Sequence, residues 1–236
     1  MSGNGHNGNG GTADVQTYFE RAADSFDRLY TEDRQSPFMR WVNRHFRSDI
    51  AERFLRTLAL ADKIRPASVL DVGCGSGRYL EALARHGVRQ LVGVDLSSPM
   101  LDLARQATKD VDAASIDLRC GDYMDIEFDE AVDMSVVMGV FDYVDEPEKM
   151  LQRLRKDSRR AVIASFPSKH WFRTPVRKLR YRIKRCPLYF YDPESIRELG
   201  KRAGFASVDI EKINGAGMDY VAVMWVDDKR QESSDA

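Results

Sequence analysis

The chain has 236 residues, and its 36 Lys and Arg nearly balance its 37 Asp and Glu, which gives a net charge of −1 and a pI of about 6.4. This length suits one α/β domain with a buried core, and the balanced charge excludes the global basic excess that is typical of nucleic-acid-binding proteins. There is no uncharged run of 18 residues, so neither a membrane span nor a signal peptide is predicted. Cys74, Cys120 and Cys186 are widely spaced and form no CxxC pair. We therefore expect a cytoplasmic protein without a disulfide framework or a metal site.

The first 64 residues divide into a tail and a helical segment. Residues 1–12 are rich in Gly and Asn, which predicts a disordered tail. From residue 13 onward, aromatic residues such as Tyr18 and Phe26 are spaced for one face of a helix, and a second helical pattern follows a Ser-Pro break. We therefore expect a helical cap over residues 13–64. Tyr18 and Phe26 either contact a ligand from this cap or belong to the core.

A glycine-rich loop follows the first predicted strand, Ser68–Val72. The segment VLDVGCGSGRY (Val69–Tyr79) has glycines at three alternate positions and leads into a predicted helix, Arg78–His86. Such a loop lets the backbone turn sharply and approach a ligand at the carboxyl end of the strand. Dinucleotide-binding dehydrogenases are the main alternative, but in their fingerprint the third glycine comes one residue later.

The rest of the chain alternates strands and helices, which predicts a parallel sheet with helices on both faces. A final hairpin pattern, VDIEKING followed by MDYVAVMWV, ends the predicted domain of residues 65–228, before a polar tail over 229–236. The further predicted strands are Gln90–Asp95, Ile116–Cys120, Ala131–Met138 and Arg160–Phe166, and the further predicted helices are Ser98–Ala107, Glu146–Lys156 and Pro193–Ala203.

Acidic residues follow the second and third strands. Asp95 ends the apolar segment LVGVD eighteen residues after Gly77, close to where a ribose-binding acid is expected after a glycine loop. Asp122 stands in a Gly-Asp pair after the third strand, which is also an ordinary turn sequence. Since the carboxyl ends of parallel strands meet at one edge, these side chains are expected to share one crevice.

In this order and spacing, the segments between about Tyr18 and Val226 resemble the class I S-adenosylmethionine-dependent methyltransferases. The resemblance implies a Rossmann-like, seven-stranded and mostly parallel sheet of order 3-2-1-4-5-7-6 with one antiparallel strand. It also implies S-adenosylmethionine as methyl donor and S-adenosylhomocysteine as product. The implied cofactor residues are Asp71, Gly73, Cys74, Gly75 and Gly77 for the methionine part, Asp95 for the ribose, Leu96, Met100, Gly121, Asp122 and Tyr123 for the adenine, and Met138 and Gly139 beneath the sulfonium.

One segment departs from the commonest pattern of this family. At Val140–Val144 the sequence reads VFDYV, where many relatives carry a Glu-His pair. Asp142 and Tyr143 stand there instead, and both are candidate catalytic residues.

A basic insertion over residues 168–190 is expected to define the acceptor. Lys169–Arg185 contains eight Lys or Arg and no Asp or Glu, with aromatic and aliphatic residues between them. Arg173 and Arg177 could bind a phosphate, a carboxylate or an anionic membrane surface. The alternatives are a solvated charged face and an RNA-binding surface.

The chemistry requires little from the protein beyond alignment, because the methyl group on a sulfonium is already activated. A hydroxyl acceptor would benefit from a general base, and the candidates are His170, Asp142, Tyr143, Tyr189 and Tyr191; His170 could equally be a surface histidine. Tyr189 and Tyr191 are also candidate acceptor contacts.

The sequence therefore predicts a methyltransferase for a small acceptor, apolar with an anionic group, with methylation on oxygen favoured. The alternatives are an RNA methyltransferase that uses the basic insertion and a non-catalytic subunit that binds S-adenosylmethionine. DNA is not an expected substrate, because the chain lacks the Asn/Asp-Pro-Pro-Tyr/Phe sequence of adenine methyltransferases after the fourth strand.

Overall fold

The structure, a computed structural model, describes residues 37–113, 115–168, 189–213 and 219–227. Its helices are α1 (Pro37–Ile64), α2 (Arg78–Arg85), α3 (Ser98–Thr108), α4 (Pro147–Asp157) and α5 (Pro193–Arg202), with one short 3-10 helix at Tyr123–Asp125. Its strands are β1 (Ser68–Val72), β2 (Gln90–Asp95), β3 (Ser115–Cys120), β4 (Val132–Val137), β5 (Ser158–Phe166), β6 (Ser207–Lys212) and β7 (Tyr220–Trp225).

The seven strands described form one sheet in the order β3-β2-β1-β4-β5-β7-β6. The first five strands run parallel, and β7 pairs antiparallel with both β5 and β6. This arrangement confirms the predicted strand order and the predicted antiparallel strand.

Alternate residues of the central strands supply two separate cores. Val69, Met134 and Ile163 pack with Leu60 of α1 and Leu80 of α2 on one face of the sheet. On the other face, the neighbouring positions Leu70, Val137 and Val162 pack with Leu151 of α4 and Ile196 of α5. Because both faces are covered, β1 is buried along its whole length, as expected of a parallel sheet with crossover helices.

Strand β5 differs from its predicted bounds at the amino end. It begins at Ser158, directly after α4 ends at Asp157, because Ser158 already pairs with Val132 of β4. The Ser158 hydroxyl also lies 2.7 Å from that of Ser135, and both groups are buried. A strand that begins with polar residues is predicted to start too late when its bounds are taken from apolar runs.

Helix α1 has 28 residues and covers one face of the sheet with its C-terminal turns. In the part of the chain that the structure describes, no helix is long and apolar enough to cross a bilayer.

Gly77 marks the beginning of α2, where the backbone has φ +78°. A Cβ at this position would lie 2.9 Å from the Cα of Ala104 in α3, so the glycine lets the two helices approach. Gly87 has a similar φ of +89°, but a Cβ there would meet nothing within 4 Å.

This pair of glycines separates the cost of a left-handed backbone from the cost of a steric contact. We expect Gly87→Ala to lower the free energy of unfolding by about 1 to 2 kcal/mol. Gly77→Ala should lower it by about 2 to 5 kcal/mol, since overpacking against α3 is added. Urea denaturation of both variants measures the difference; equal losses would mean that the contact with Ala104 carries no cost.

Candidate functional site

The predicted site residues gather at the carboxyl edge of the sheet. Asp71 lies near the end of β1, Asp95 ends β2, and Gly121 and Gly139 follow β3 and β4. The Gly121 N–H donates to the Asp95 carbonyl at 3.0 Å, which joins two of these loops directly. The loops that follow four parallel strands therefore meet at this edge of the sheet, where a ligand crevice is expected.

The loop after β1 is held by backbone hydrogen bonds to β2. The N–H groups of Gly73 and Cys74 donate to the Val94 carbonyl at 2.8 and 3.1 Å. The Gly75 N–H donates to the Asp95 Oδ2 at 2.8 Å. Gly75 has φ +52°, and a Cβ there would meet no atom within 4 Å, so this part of the backbone borders open space. A ligand can approach it closely.

Asp71 is buried, and its Oδ2 accepts no hydrogen bond from any described residue. Burial, and then the negative charge of Asp95, raise the pKa of the Asp71 carboxyl from 3.8 to about 8. A buried acceptor without a donor costs free energy, which a cationic ligand group would offset.

Asp95 receives two backbone N–H groups. The Ser97 N–H donates to its Oδ1 at 2.9 Å, while Gly75 occupies its Oδ2. Burial raises the pKa of Asp95, and the two N–H bonds oppose this rise. Each carboxylate oxygen has a second lone pair that remains available for a ligand hydroxyl.

The residues after β2 pack inward. Met100 is buried, Leu96 is partly buried, and the Ser97 hydroxyl caps α3 by accepting the Met100 N–H at 3.4 Å. Cys74 is buried in the core, and burial, followed by the charges of Asp71 and Asp95, raises the pKa of its thiol. Its side chain therefore faces away from the open side of the loop, and its backbone N–H holds the turn.

Asp122 and Tyr123 form a turn at the end of β3. The Asp122 carboxylate accepts the Met124 N–H at 2.9 Å and so caps the short 3-10 helix. The Tyr123 side chain enters the core, where its hydroxyl donates to Asp157 Oδ2 at 2.9 Å, and Arg153 donates to the same oxygen at 2.7 Å. The Tyr123 hydroxyl is thus already bonded to Asp157. The contact of Tyr123 with adenine stays a prediction.

The loop after β4 contains Met138 and Gly139, both partly exposed. The Gly139 N–H donates to the Ser165 hydroxyl of β5 at 2.8 Å. Gly139 has φ +76°, and a Cβ there would meet nothing within 4 Å. This loop therefore also presents backbone to open space.

Aromatic residues surround the ends of β4 and β5. Phe141 stacks on Phe166 with ring centroids 4.5 Å apart, and Tyr191 meets Phe166 edge-on at 5.2 Å. The Tyr191 hydroxyl is buried and has no hydrogen-bond partner among the residues that the structure describes. Burial, and then the charge of Asp142, raise the pKa of Tyr191, so this phenol stays protonated at neutral pH.

Asp142, Tyr143 and Tyr189 lie in the same region. The Tyr189 N–H donates to the Asp142 carbonyl at 3.0 Å, so the C-terminal end of the basic insertion is tied to the loop after β4. Asp142 is buried and Tyr143 is partly buried. Burial and the charge of Asp145 raise the pKa of Tyr189.

Five of the predicted site residues lie outside the described residues. They are Tyr18, Phe26, His170, Arg173 and Arg177.

Three further residues of the site edge were not predicted from the sequence. Ser165 binds Gly139, and Arg53 of α1 donates to Ser165 at 3.4 Å and forms an ion pair with Asp219. Ser165 ends an apolar run, which is a weak signal for a strand end. Arg53 and Asp219 have no sequence signal, because they are 166 residues apart.

The described residues suit a cationic nucleoside ligand. The orphaned Asp71 carboxylate can accept a positive group, the open backbone at Gly75 and Gly139 allows close approach, and Asp95 can accept hydroxyls. Within the same residues, no group of three His, Cys, Asp or Glu side chains is placed to hold a metal ion.

Comparison with known proteins identifies the domain. Residues 70–159, which contain this loop and these strands, match a protein-family model described as a methyltransferase domain. This part of the chain is a methyltransferase domain. The sheet order and the antiparallel β7 are those of this methyltransferase fold.

Relatives of this methyltransferase include two O-methyltransferases. It is 27% identical over 205 residues to the magnesium-protoporphyrin O-methyltransferase of Rhodobacter capsulatus, a match that covers 84% of this chain and 89% of that protein. It is 34% identical over 85 residues to the ubiquinone biosynthesis O-methyltransferase of Coxiella burnetii, which covers 36% of each protein.

Its fold is similar to that of magnesium protoporphyrin IX methyltransferase from Synechocystis PCC 6803, solved with bound S-adenosylmethionine. The TM-score is 0.73 at 20% identity, and the match covers 94% of this chain and 99% of that one. The domain match and the relatives named as methyltransferases identify the chain as an S-adenosylmethionine-dependent enzyme.

The raised pKa of Asp71 predicts a pH-dependent stability. An Asp in the unfolded chain ionises near pH 3.8, but Asp71 in the folded protein keeps its proton up to about pH 8. Between these values the folded state binds one more proton, so the contribution of Asp71 to stability falls as the pH rises.

We expect Asp71→Asn, which imitates the protonated carboxyl, to stabilise the ligand-free protein increasingly from pH 4 to pH 8. The gain above pH 8 should reach several kcal/mol, since one unit of pKa corresponds to about 1.4 kcal/mol. Urea denaturation at a series of pH values measures it, with Asp117→Asn on exposed β3 as control. A gain that does not change with pH would contradict the raised pKa.

Proposed function

We propose that the enzyme transfers the methyl group of S-adenosylmethionine to an oxygen atom of a small, apolar acceptor that carries an anionic group. The observation that carries this proposal is the match to an O-methyltransferase along most of both chains, 84% of this one and 89% of the relative. A match of that length includes the segments that follow β4 and β5, where an acceptor would lie. It is therefore more informative about the acceptor than a match to the cofactor-binding half alone.

The geometry of the described residues supports a separate role in cofactor binding for each of three acids. Asp71 would accept the α-ammonium of the methionine part, because its Oδ2 is buried without a donor. Asp95 would accept the ribose hydroxyls with the lone pairs that Gly75 and Ser97 do not use. Asp122, at the turn after β3, would meet the adenine. S-adenosylmethionine supplies a methyl group that is already activated on a sulfonium, so the protein has chiefly to align the acceptor and exclude water.

On the acceptor side, Tyr191 offers a directed hydrogen-bond donor. Its hydroxyl is buried near Asp142 with no hydrogen-bond partner in the described part of the chain, and its raised pKa keeps it protonated at neutral pH. We therefore assign it to orienting an acceptor oxygen rather than to removing a proton. Asp142, Tyr143 and Tyr189 remain the candidate bases among the described residues for a hydroxyl acceptor.

The anionic group of the acceptor would be bound by the basic insertion. Arg173 and Arg177 are proposed for this role from the sequence alone. The segment 169–185 contains eight Lys or Arg and no Asp or Glu, so it carries a concentrated positive charge. A carboxylate acceptor would need no general base, since it is ionised at neutral pH.

Two other functions predict different behaviour. An RNA methyltransferase that uses the basic insertion would bind RNA with a steep dependence on salt. A non-catalytic subunit would bind the cofactor and transfer the methyl group to nothing.

The first test combines binding with methyl transfer. Isothermal titration should show micromolar binding of S-adenosylmethionine and S-adenosylhomocysteine and no binding of NADH. Transfer from methyl-labelled cofactor is then measured to magnesium protoporphyrin, to a catechol that carries a carboxylate and to bulk RNA. Mild alkali releases label from a methyl ester as methanol but leaves a methyl ether intact, so the product distinguishes a carboxyl acceptor from a hydroxyl acceptor.

Each result selects one function. Label on either small acceptor supports the proposal, and label on RNA alone supports the RNA methyltransferase. Binding of the cofactor without transfer to any of the three contradicts this acceptor class, and absence of adenosyl binding contradicts the site assignment.

Asp95 provides a separate test of the ribose site. Asp95→Ala should weaken the binding of S-adenosylhomocysteine by about 1 to 3 kcal/mol, because ribose hydroxyls lose a buried acceptor. The same loss should appear when the wild-type enzyme binds the 2′-deoxy analogue, and the two losses should not add. Additive losses, measured by titration calorimetry, would show that Asp95 acts only by holding Gly75 and Ser97.

A further inference from the structure

Ser165 connects the loop after β4 to helix α1. It lies near the carboxyl end of β5, only 3% of it is exposed, and its hydroxyl accepts the Gly139 N–H at 2.8 Å. The same oxygen accepts a longer bond, 3.4 Å, from Nη1 of Arg53. With two donors on its oxygen, the Ser165 hydroxyl has little freedom to rotate.

Arg53 is fixed in turn by Asp219. Its other terminal nitrogen, Nη2, forms an ion pair with Asp219, whose side chain is 4% exposed, at the beginning of β7. The second Asp219 oxygen accepts the Ser168 N–H at 3.3 Å, next to the basic insertion. The planar fork of a guanidinium can reach a hydroxyl and a carboxylate at once, which a lysine cannot do with the same geometry.

Gly139 itself has no side chain to anchor it. Among the described residues, a Cβ at this position would meet no atom within 4 Å, and φ is +76°. Its neighbours Met138 and Val140 pack against the two cores, and its own peptide N–H is positioned by the bond to Ser165. Removing the hydroxyl would leave that N–H without its acceptor and would free the loop to move.

We propose that Ser165, supported by Arg53 and Asp219, is a positioning residue that holds Met138 and Gly139 against the transferable methyl group of the cofactor. This inference rests on the proposed function and on the family resemblance, which implies that those two residues lie beneath the sulfonium. It makes a specific claim about ligands: the Ser165 bond matters for the part of the cofactor that carries the methyl group and not for the nucleoside.

S-adenosylmethionine and S-adenosylhomocysteine provide the test, because they differ only in that methyl group and its positive charge. Titration calorimetry of both ligands gives an affinity ratio that requires no acceptor. Ser165→Ala should lower the affinity for S-adenosylmethionine roughly three- to tenfold relative to S-adenosylhomocysteine, the effect of one lost hydrogen bond. Arg53→Lys, which keeps the charge opposite Asp219, should shift the ratio in the same direction by a smaller factor. Ser165→Thr, which keeps the hydroxyl, should restore the wild-type ratio.

Ser135→Ala is the matched control. Ser135 is also a buried serine of the central sheet, hydrogen-bonded at 2.7 Å to Ser158, but it lies within β4 and away from the crevice loops. It should leave the ratio unchanged even if it lowers stability.

Equal loss of both affinities in Ser165→Ala, or an unchanged ratio in both Ser165→Ala and Arg53→Lys, would overturn the positioning role. If Ser165→Ala does not fold, the ratio for Arg53→Lys decides alone. If the wild-type enzyme binds neither ligand, the proposed function itself fails, which is a separate result from a wild type that binds both and variants that do not discriminate.

Discussion

The carboxylate of Asp95 organises the cofactor end of this molecule. It ends β2 and accepts one N–H from Gly75 in the loop after β1 and another from Ser97 at the beginning of α3. Three segments that are separate in the sequence are thereby fixed to one side chain, and the loop after β3 joins through the Asp95 carbonyl. Charge-assisted bonds of this kind are stronger than bonds between neutral groups, so they hold these loops in place before a ligand enters.

Placing two acids close together has an electrostatic cost, which is seen at Asp71. This side chain is buried close to Asp95 with one oxygen unpaired, so the folded protein keeps a proton there that the unfolded chain would lose near pH 3.8. A cationic ligand would remove both the need for that proton and the repulsion between the two acids. Cofactor binding and proton release are therefore expected to be linked, and the free protein is less stable than its packing alone would allow.

The sequence predicts the cofactor half of this fold better than the acceptor half. β1 and β2 were predicted to the residue, because buried parallel strands are short apolar runs bounded by a glycine loop and an acid. The beginning of β5 was missed by two residues, since Ser158 is polar and yet buried through its contact with Ser135. The connection from Gly139 through Ser165 and Arg53 to Asp219 has no local pattern, because its members are distant in the chain and meet only in the folded protein. Tyr123 shows that the sequence does not reveal side-chain partners. The resemblance implies that it lies with Asp122 beside the adenine, but no local pattern indicates that its hydroxyl binds Asp157.

The position of β7 has a consequence for how the chain folds during synthesis. β7 lies between β5 and β6, although it is made after both. Until Tyr220–Trp225 leaves the ribosome, β5 has an unpaired edge and β6 has no place in the sheet. A nascent chain that already contains the whole cofactor crevice would therefore still expose a long, apolar strand edge, which is where aggregation begins. Completion of the sheet depends on its last pairing, and a chaperone that shields β5 would act in the interval before that pairing forms.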